Sequence, residues 1–393
     1  RQQQLHVASI FLATTPAAGK AEVTKWLKFD GSMQYTNQKN TKALRGTAGP
    51  LYQAMLWPMV DNMKEYMDPD GVQMKLPSYY VDTDLLNPLF GLNKNKYKDK
   101  SDRFLIALGV TVTPTKHTFV TGKFGWDMAN QKYLAITSPY WGNRASSEYT
   151  KGTGTYNLVK DNYSDPNTSI LAGYNNDFGK FNVSAQFGYH QTEEGIDRLS
   201  VYGTDFIDLN FASIANCNPK TVIASTRQTK RRIQALSAQV EVGYNNLAFL
   251  TLRARNDWSS TLPVDNRSYF YPALEASFIP TELTFLKGNQ YVTYLKIRGA
   301  VAQVGKDASP LAIYPSLEQT GVYMEGFGYG YYGPNTKLKP EMTTSYEVGF
   351  EGRFLNDRIN TDFTYYWTHC KDQYVTGFRL SYATGFVLNN MNV

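Results

Sequence analysis

The residues in this chain best suited to chemistry are aromatic and sit between glycines. Residues 321–333 read GVYMEGFGYGYYG, which sets Tyr323, Phe327, Tyr329, Tyr331 and Tyr332 on a pliable backbone. Flat rings presented in this way suit stacking on sugar rings or holding a partner protein; the alternative is a loop folded on its own aromatics. Pro139-Tyr140-Trp141-Gly142 is a shorter version open to the same two readings. Gly328, Gly330 and Gly333 match G-x-G-x-x-G, but without the preceding strand and following helix that a dinucleotide site requires. Asp82 and Asp84 are paired carboxylates with nothing to assign them separate acid and base roles. The G-x-S-x-G, H-E-x-x-H and P-loop patterns do not occur. Two cysteines, Cys217 and Cys370, and four histidines show no CxxC or HxxxH spacing, which argues against a metal site and a disulfide scaffold. The cysteines read as isolated loop thiols, with a single bridge between them as the other reading. The expectation is a protein that is not an enzyme and carries no cofactor and no metal.

The elements around these loops are strands. Aromatic residues make up 14% of 393, with 29 Tyr and 21 Phe, a usage that suits surfaces apolar on one side and wet on the other. Mean hydropathy is −0.42, and no run approaches the roughly 18 apolar residues of a spanning helix. A membrane β-barrel has no such signature, because its strands alternate apolar and polar residues. That alternation is the main signal here. Phe181, Val183, Ala185, Phe187 and Tyr189 oppose Lys180, Asn182, Ser184, Gln186 and His190. The same pattern recurs near residues 27–35, 236–244, 250–255, 295–301, 345–354 and 359–368, and more weakly near 5–14, 104–112, 118–127, 169–175, 270–278 and 380–390. This amounts to about thirteen strands. Short turns at 113–117, 175–179, 245–247 and 355–357 alternate with long polar loops at 39–102, 128–168, 191–231 and 305–342. Turns on one rim and excursions on the other is the asymmetry of outer-membrane barrels, and a segment at 51–67 has helical propensity inside its loop.

Tyr35, Trp126, Tyr189, Tyr244 and Trp367 read as closing apolar faces near turns or loops, as interface girdles do. The polar faces carry Glu241, Arg253, Arg255, Lys296, Arg298, Glu347, Glu351, Arg353 and Asp362. In a lumen these could pair across strands, line a water path or hold a plug. Net charge is +6 from 40 basic and 34 acidic residues, and short clusters such as Lys230–Arg232 lack the aromatic interleaving of a nucleic-acid platform. No nucleic-acid partner is expected.

Several segments together resemble the TonB-dependent outer-membrane transporters, most closely the SusC/RagA type. These are Leu338-Lys-Pro-Glu341, Thr344-Ser-Tyr-Glu-Val-Gly-Phe350, Phe354-Leu-Asn-Asp-Arg-Ile359 and Asp362-Phe-Thr-Tyr-Tyr366. Asn87-Pro-Leu-Phe90 with Asp102-Arg-Phe104, Arg255-Asn-Asp-Trp-Ser-Ser260, Phe285-Leu-Lys287, Leu295-Lys-Ile-Arg298 and Val304-Gly305 agree in order, so that the resemblance covers about residues 85–393. It implies an all-β fold, an antiparallel transmembrane barrel of the plugged, roughly 22-stranded class in the bacterial outer membrane. It further implies active import of a glycan or peptide, with energy passed from the TonB complex to a plug, beneath a SusD-like surface lipoprotein. Neither plug, TonB box nor N-terminal extension is found, nor strands after Asn390–Val393, so residues 1–393 are expected to be a middle portion of the barrel domain. The rival readings are a passive porin or adhesin barrel and a secreted all-β carbohydrate-binding protein.

Overall fold

The computed structural model describes residues 9–67, 69, 71, 74–75, 86–141, 151–320 and 326–393. Twelve strands make one sheet: β1 (Ser9–Thr24), β2 (Leu27–Lys42), β3 (Lys96–Thr115), β4 (Thr118–Thr137), β5 (Thr155–Phe178), β6 (Phe181–Thr204), β7 (Ile223–Tyr244), β8 (Ala248–Ser259), β9 (Ser268–Phe278), β10 (Val292–Lys306), β11 (Glu341–Phe354) and β12 (Ile359–Lys371). Every strand pairs antiparallel with its neighbours in sequence, so the sheet is a single up-and-down meander. The alternation predicts about thirteen strands; the sheet has twelve, because the segment near 380–390 lies outside it. Its residues belong to a small hairpin of Tyr374–Arg379 with Leu388–Asn392.

Turn chemistry fixes one rim. Gly179 has φ 65° between β5 and β6, where a side chain would be strained. Asn245 and Asn246, at φ 49° and 55°, adopt the left-handed conformation in the three-residue connection that closes β7 to β8. Leu355, Asn356 and Asp357 all have positive φ between β11 and β12. The opposite rim carries most of the long connections; the alternation is broken once, where the connection 279–291 on the turn rim is longer than 260–267 on the other.

Register then separates two faces. One face carries Val183, Val242, Leu250, Ala276, Val348 and Tyr365 in one lateral row. A neighbouring row runs through Ala185, Val240, Leu252, Leu274, Val301, Tyr346 and Trp367. Side chains on that face are exposed although apolar, Leu252 at 52% and Phe187 at 55%, which is the lipid-facing surface of a barrel wall. All the anticipated lumen charges fall on the other face.

Two expectations about strand length change. Residues 128–168 and 191–231 are mostly strand, because β4 runs to Thr137, β5 begins at Thr155, β6 reaches Thr204 and β7 begins at Ile223. Above the bilayer both sides of the wall are wet, so the alternation that reveals a half-buried strand disappears there. Consequently Tyr35, Trp126 and Tyr189 stand in mid-strand at the outer interface rather than at strand ends; Tyr244 does end its strand. The long connection before β3 holds two short helices, α1 (Pro50–Leu56) and α2 (Pro88–Lys94). The Asn87 side chain caps α2 by accepting from the Leu89 and Phe90 amides. The helical expectation at 51–67 is met only over its first turns.

Candidate functional site: the lumen wall and its outer cap

Between β10 and β11 the chain folds into a cap over the outer rim. The side chains of Leu262, Tyr269, Ala308, Ile313 and Leu338 form a buried cluster there, with Tyr271, Ala312 and Tyr374 packed against it. Tyr269 and Tyr271 sit on the lumen face of β9, so the cap folds inward. Asparagine side chains tie its loops together: Asn390 Nδ2 donates to the Ala312 carbonyl (2.8 Å), Asn335 Nδ2 to the Asn390 carbonyl (2.6 Å), and Asn392 Nδ2 to the Lys339 carbonyl (2.9 Å). Each bond satisfies a backbone carbonyl and holds two segments of the cap together.

One carboxylate anchors the cap to the wall. Asp307, whose side chain is 4% exposed, accepts two bonds from Arg231 of β7, Nη2 to Oδ1 at 2.6 Å and Nε to Oδ2 at 2.9 Å. Ser259 Oγ (2.5 Å) and Thr261 Oγ1 (2.9 Å) donate to the same Oδ2, and Arg231 also reaches Glu194 Oε1 at 2.6 Å. Burial opposes ionisation of Asp307, but the Arg231 guanidinium and the two hydroxyls outweigh it and hold the carboxyl below the ordinary range. Beneath it Asp257, also buried, accepts from Arg255 Nε (2.6 Å) and the Tyr271 hydroxyl (2.7 Å).

The cap presents the anticipated aromatics. A hairpin of Leu317–Thr320 with Gly326–Tyr329 carries Phe327 and Tyr329, exposed at 75% and 69%, and Tyr331 follows at 67%. Tyr329 meets Phe386 edge-on at 5.8 Å. Tyr332 is more covered and bridges to Leu388. The loop therefore offers most of its rings outward instead of folding on itself. Tyr323 lies outside the described residues. Tyr140 and Trp141 form a two-residue strand against Lys151–Gly152, apart from this cap in sequence and in sheet.

On the lumen wall the anticipated charges divide into two sets. Arg298 donates to Asp362 (2.6 Å) and to Thr364 Oγ1 (2.6 Å), Arg253 pairs with Glu275 and Gln239, Arg255 with Asp257, and Arg353 with Glu351 at 3.4 Å while lying over the Tyr294 ring. These are cross-strand and same-strand pairs of the structural kind. Glu241, Lys296 and Glu347 have no ion-pair partner among the described residues, and they line one groove of about 510 Å³ with Arg298 and Glu275. The wall thus brings together groups of both signs that remain available to something in the lumen.

Sequence reasoning passed over the Asp307 anchor. In the sequence Arg231 is one member of a short basic cluster, and Asp257 and Ser259 are pieces of the Arg255–Ser260 segment. Spacing of apolar residues carries no information about a carboxylate that meets its partners across four strands. Cys217 and Cys370 are both free, which removes the bridge reading; Cys217 is buried and burial pushes its thiol up. No group of metal-ligating side chains occurs among the described residues.

Comparison with known proteins agrees with this geometry. A family model described as "TonB dependent receptor-like, beta-barrel" matches residues 60–392. TonB-dependent receptor P26 of Formosa agariphila is 22% identical over 295 residues, 73% of this chain and 29% of that protein. TonB-dependent receptor SusC of Bacteroides thetaiotaomicron is 30% identical over 142 residues, 33% of this chain and 14% of that protein. The RagAB peptide transporter structure superposes with a TM-score of 0.79 at 15% identity, covering 98% of this chain and 43% of that one. The ferripyoverdine receptor of Pseudomonas aeruginosa gives 0.57 at 10% identity, covering 98% and 45%. At such identities the structures show the fold alone, and the chain spans less than half the length of these relatives.

Proposed function

Given that this chain belongs to the TonB-dependent receptor β-barrel family, we propose that it forms part of the wall and outer cap of an active importer. As in the rest of that family of non-enzymatic receptors and transporters, the barrel lies in the bacterial outer membrane. The cargo in this reading is a nutrient too large for a passive pore, a glycan or a peptide. A SusD-like lipoprotein covers the cap from outside, and energy arrives through the TonB complex. Exposed rings suit a glycan and mixed charges on the wall suit a peptide, so the reading keeps both cargo classes.

The observation that carries the reading is the cap itself. Phe327, Tyr329 and Tyr331 project from loops anchored on the lumen side of the rim, where a cargo or a lid would first be met. Exposed rings on a braced scaffold bind flat or apolar faces at little entropic cost. Replacing Tyr329 and Tyr331 together by Ala should lower uptake or lid association about tenfold, since each ring contact is worth about 0.5–1.5 kcal/mol. Barrel assembly, read from heat-modifiable gel migration, should be unaffected. Unchanged uptake and lid association would remove the cap from the binding surface.

A further inference from the structure

The outward face of the wall carries a feature that neither cargo nor lid uses. Lys39 of β2 stands directly opposite Lys100 of β3, Lys100 opposite Lys132 of β4, and Lys132 opposite Lys160 of β5. Four adjacent strands therefore place a lysine in the same lateral row. Residues directly opposite share a face, with Cβ atoms about 5 Å apart, and like charges so placed repel. The face is fixed by register: Lys39 lies two outward steps beyond Tyr35, and Lys100 two beyond Phe104, and those two rings pack at 4.6 Å in the outer aromatic row. Four residues of strand put the lysines roughly 13 Å along the wall from those rings, on the side of the long connections.

All four lysines are exposed, and Lys96 and Lys98 continue the basic surface along β3 on the same face. Lys100 pairs with Asp102 at 2.8 Å, but that carboxylate is already shared with the Tyr35 hydroxyl (2.7 Å) and Asn37 (2.5 Å). Lys39, Lys132 and Lys160 have no carboxylate within ion-pair range among the described residues. In the row just below stand Asn37, Asp102, Asn130, Asn162 and Asp197, all polar. Like charges in one row cost stability in the protein alone, and Asp102, which pairs with Lys100 only, offsets that cost in part.

We propose that this lysine row is a binding site for the phosphates of anionic lipid in the outer leaflet, and that it fixes the depth of the barrel on this side. The placement makes lipid the fitting occupant. The row continues upward from the apolar, ring-edged surface that already meets acyl chains, so one lipid molecule can lay its chains on Leu108 and Phe124 and bring its phosphate to the lysines. Several evenly spaced ammonium groups on a flat face suit a line of headgroups rather than one enclosed ion. Flexible, point-charged lysines also tolerate the headgroup disorder that a planar arginine fork would not.

The test uses the full-length transporter purified in a neutral detergent. The probes are short-chain phosphatidylglycerol, phosphatidylcholine of the same chain length and inorganic phosphate, with bound molecules counted by native mass spectrometry and affinities measured by titration. A lysine near an anionic surface contributes about fivefold in affinity. The variant K39Q/K100Q/K132Q/K160Q should therefore bind phosphatidylglycerol at least tenfold more weakly than the parent, while the four-arginine variant keeps the affinity. Phosphatidylcholine should bind both proteins equally and weakly, and inorganic phosphate should not compete at millimolar concentration. Equal phosphatidylglycerol affinity in parent and glutamine variant would overturn the proposal. Displacement by inorganic phosphate would overturn it in favour of a small-anion site. Heat-modifiable migration of each variant checks separately that the barrel has formed, so a folding failure is not mistaken for lost lipid binding.

Discussion

Asp307 is the residue on which the outer cap most depends. Its carboxylate is buried, takes charge-assisted bonds from Arg231 and is closed off by Ser259 and Thr261. Replacing it by Asn keeps the shape but leaves the guanidinium short of its counter-ion, and breaking a buried pair costs about 3–5 kcal/mol. Because Arg231 retains Glu194 and some solvent, the lower end of that range applies. The expected outcome is local: residues 307–340 become sensitive to protease and exchange their amides faster, while the barrel still migrates as a folded species. The anchor also has a pH dependence of fixed sign. The folded carboxyl titrates below its unfolded value, so its contribution is complete above the ordinary carboxylate range and disappears as pH falls through the folded pKa. Cap protection followed downward from pH 7 should stay complete until the ordinary carboxylate range and be lost only below it in the parent; in Asp307→Asn it should be low and flat. A cap equally protected in both proteins would show that the anchor lies elsewhere.

At the scale of elements, what could be read from the sequence follows from solvent. The segment from Lys180 to His190 announces itself because one side meets lipid and the other water, and the structure places it at the start of β6. The next residues, Gln191 to Thr204, continue the same strand with Glu193, Glu194, Asp197 and Arg198, and no periodicity betrays them. Pairing with β5 and β7 holds them extended, and pairing is a property of three strands that no one of them displays. The aromatic cap divides similarly. Ring-rich, glycine-spaced residues signalled a loop with exposed faces, whereas the asparagine ties and the Asp307 anchor that brace it depend on contacts distant in sequence. The two regimes of strand make opposite predictions for the same substitution. Leu252→Arg puts a charge on the outward face between Val240 and Leu274, within the apolar band, at a cost of about 2–4 kcal/mol near the bilayer midplane. Thr226→Arg is also outward but lies in the lysine row, opposite Leu199 and above the aromatic ring row. Barrel yield in the outer membrane, measured as heat-modifiable protein, should fall sharply for the first and stay unchanged for the second. Equal yields would mean that the apolar band has been placed at the wrong height.

For the whole molecule, the decisive contrast is between an energised importer and a passive pore, which share every strand described above. Their difference lies in the lumen. A barrel of this class is wide enough to leak unless something fills it. The lumen wall here offers Glu241, Lys296 and Glu347 without partners of their own on the described wall, next to Arg and Glu residues that are already paired. Isolated charges of both signs on a wall suit docking to a mobile polar body, because each can be satisfied in one position and released to water in another at small net cost. A static pore gains nothing from leaving them unpaired. The full-length protein should therefore show little open-channel conductance in a planar bilayer. Uptake of its cargo by cells should stop when the proton gradient is collapsed, with surface binding retained. A steady open conductance together with uptake that survives loss of the gradient would assign the same wall to passive diffusion, and the unpaired charges would then act only on the selectivity of the water path.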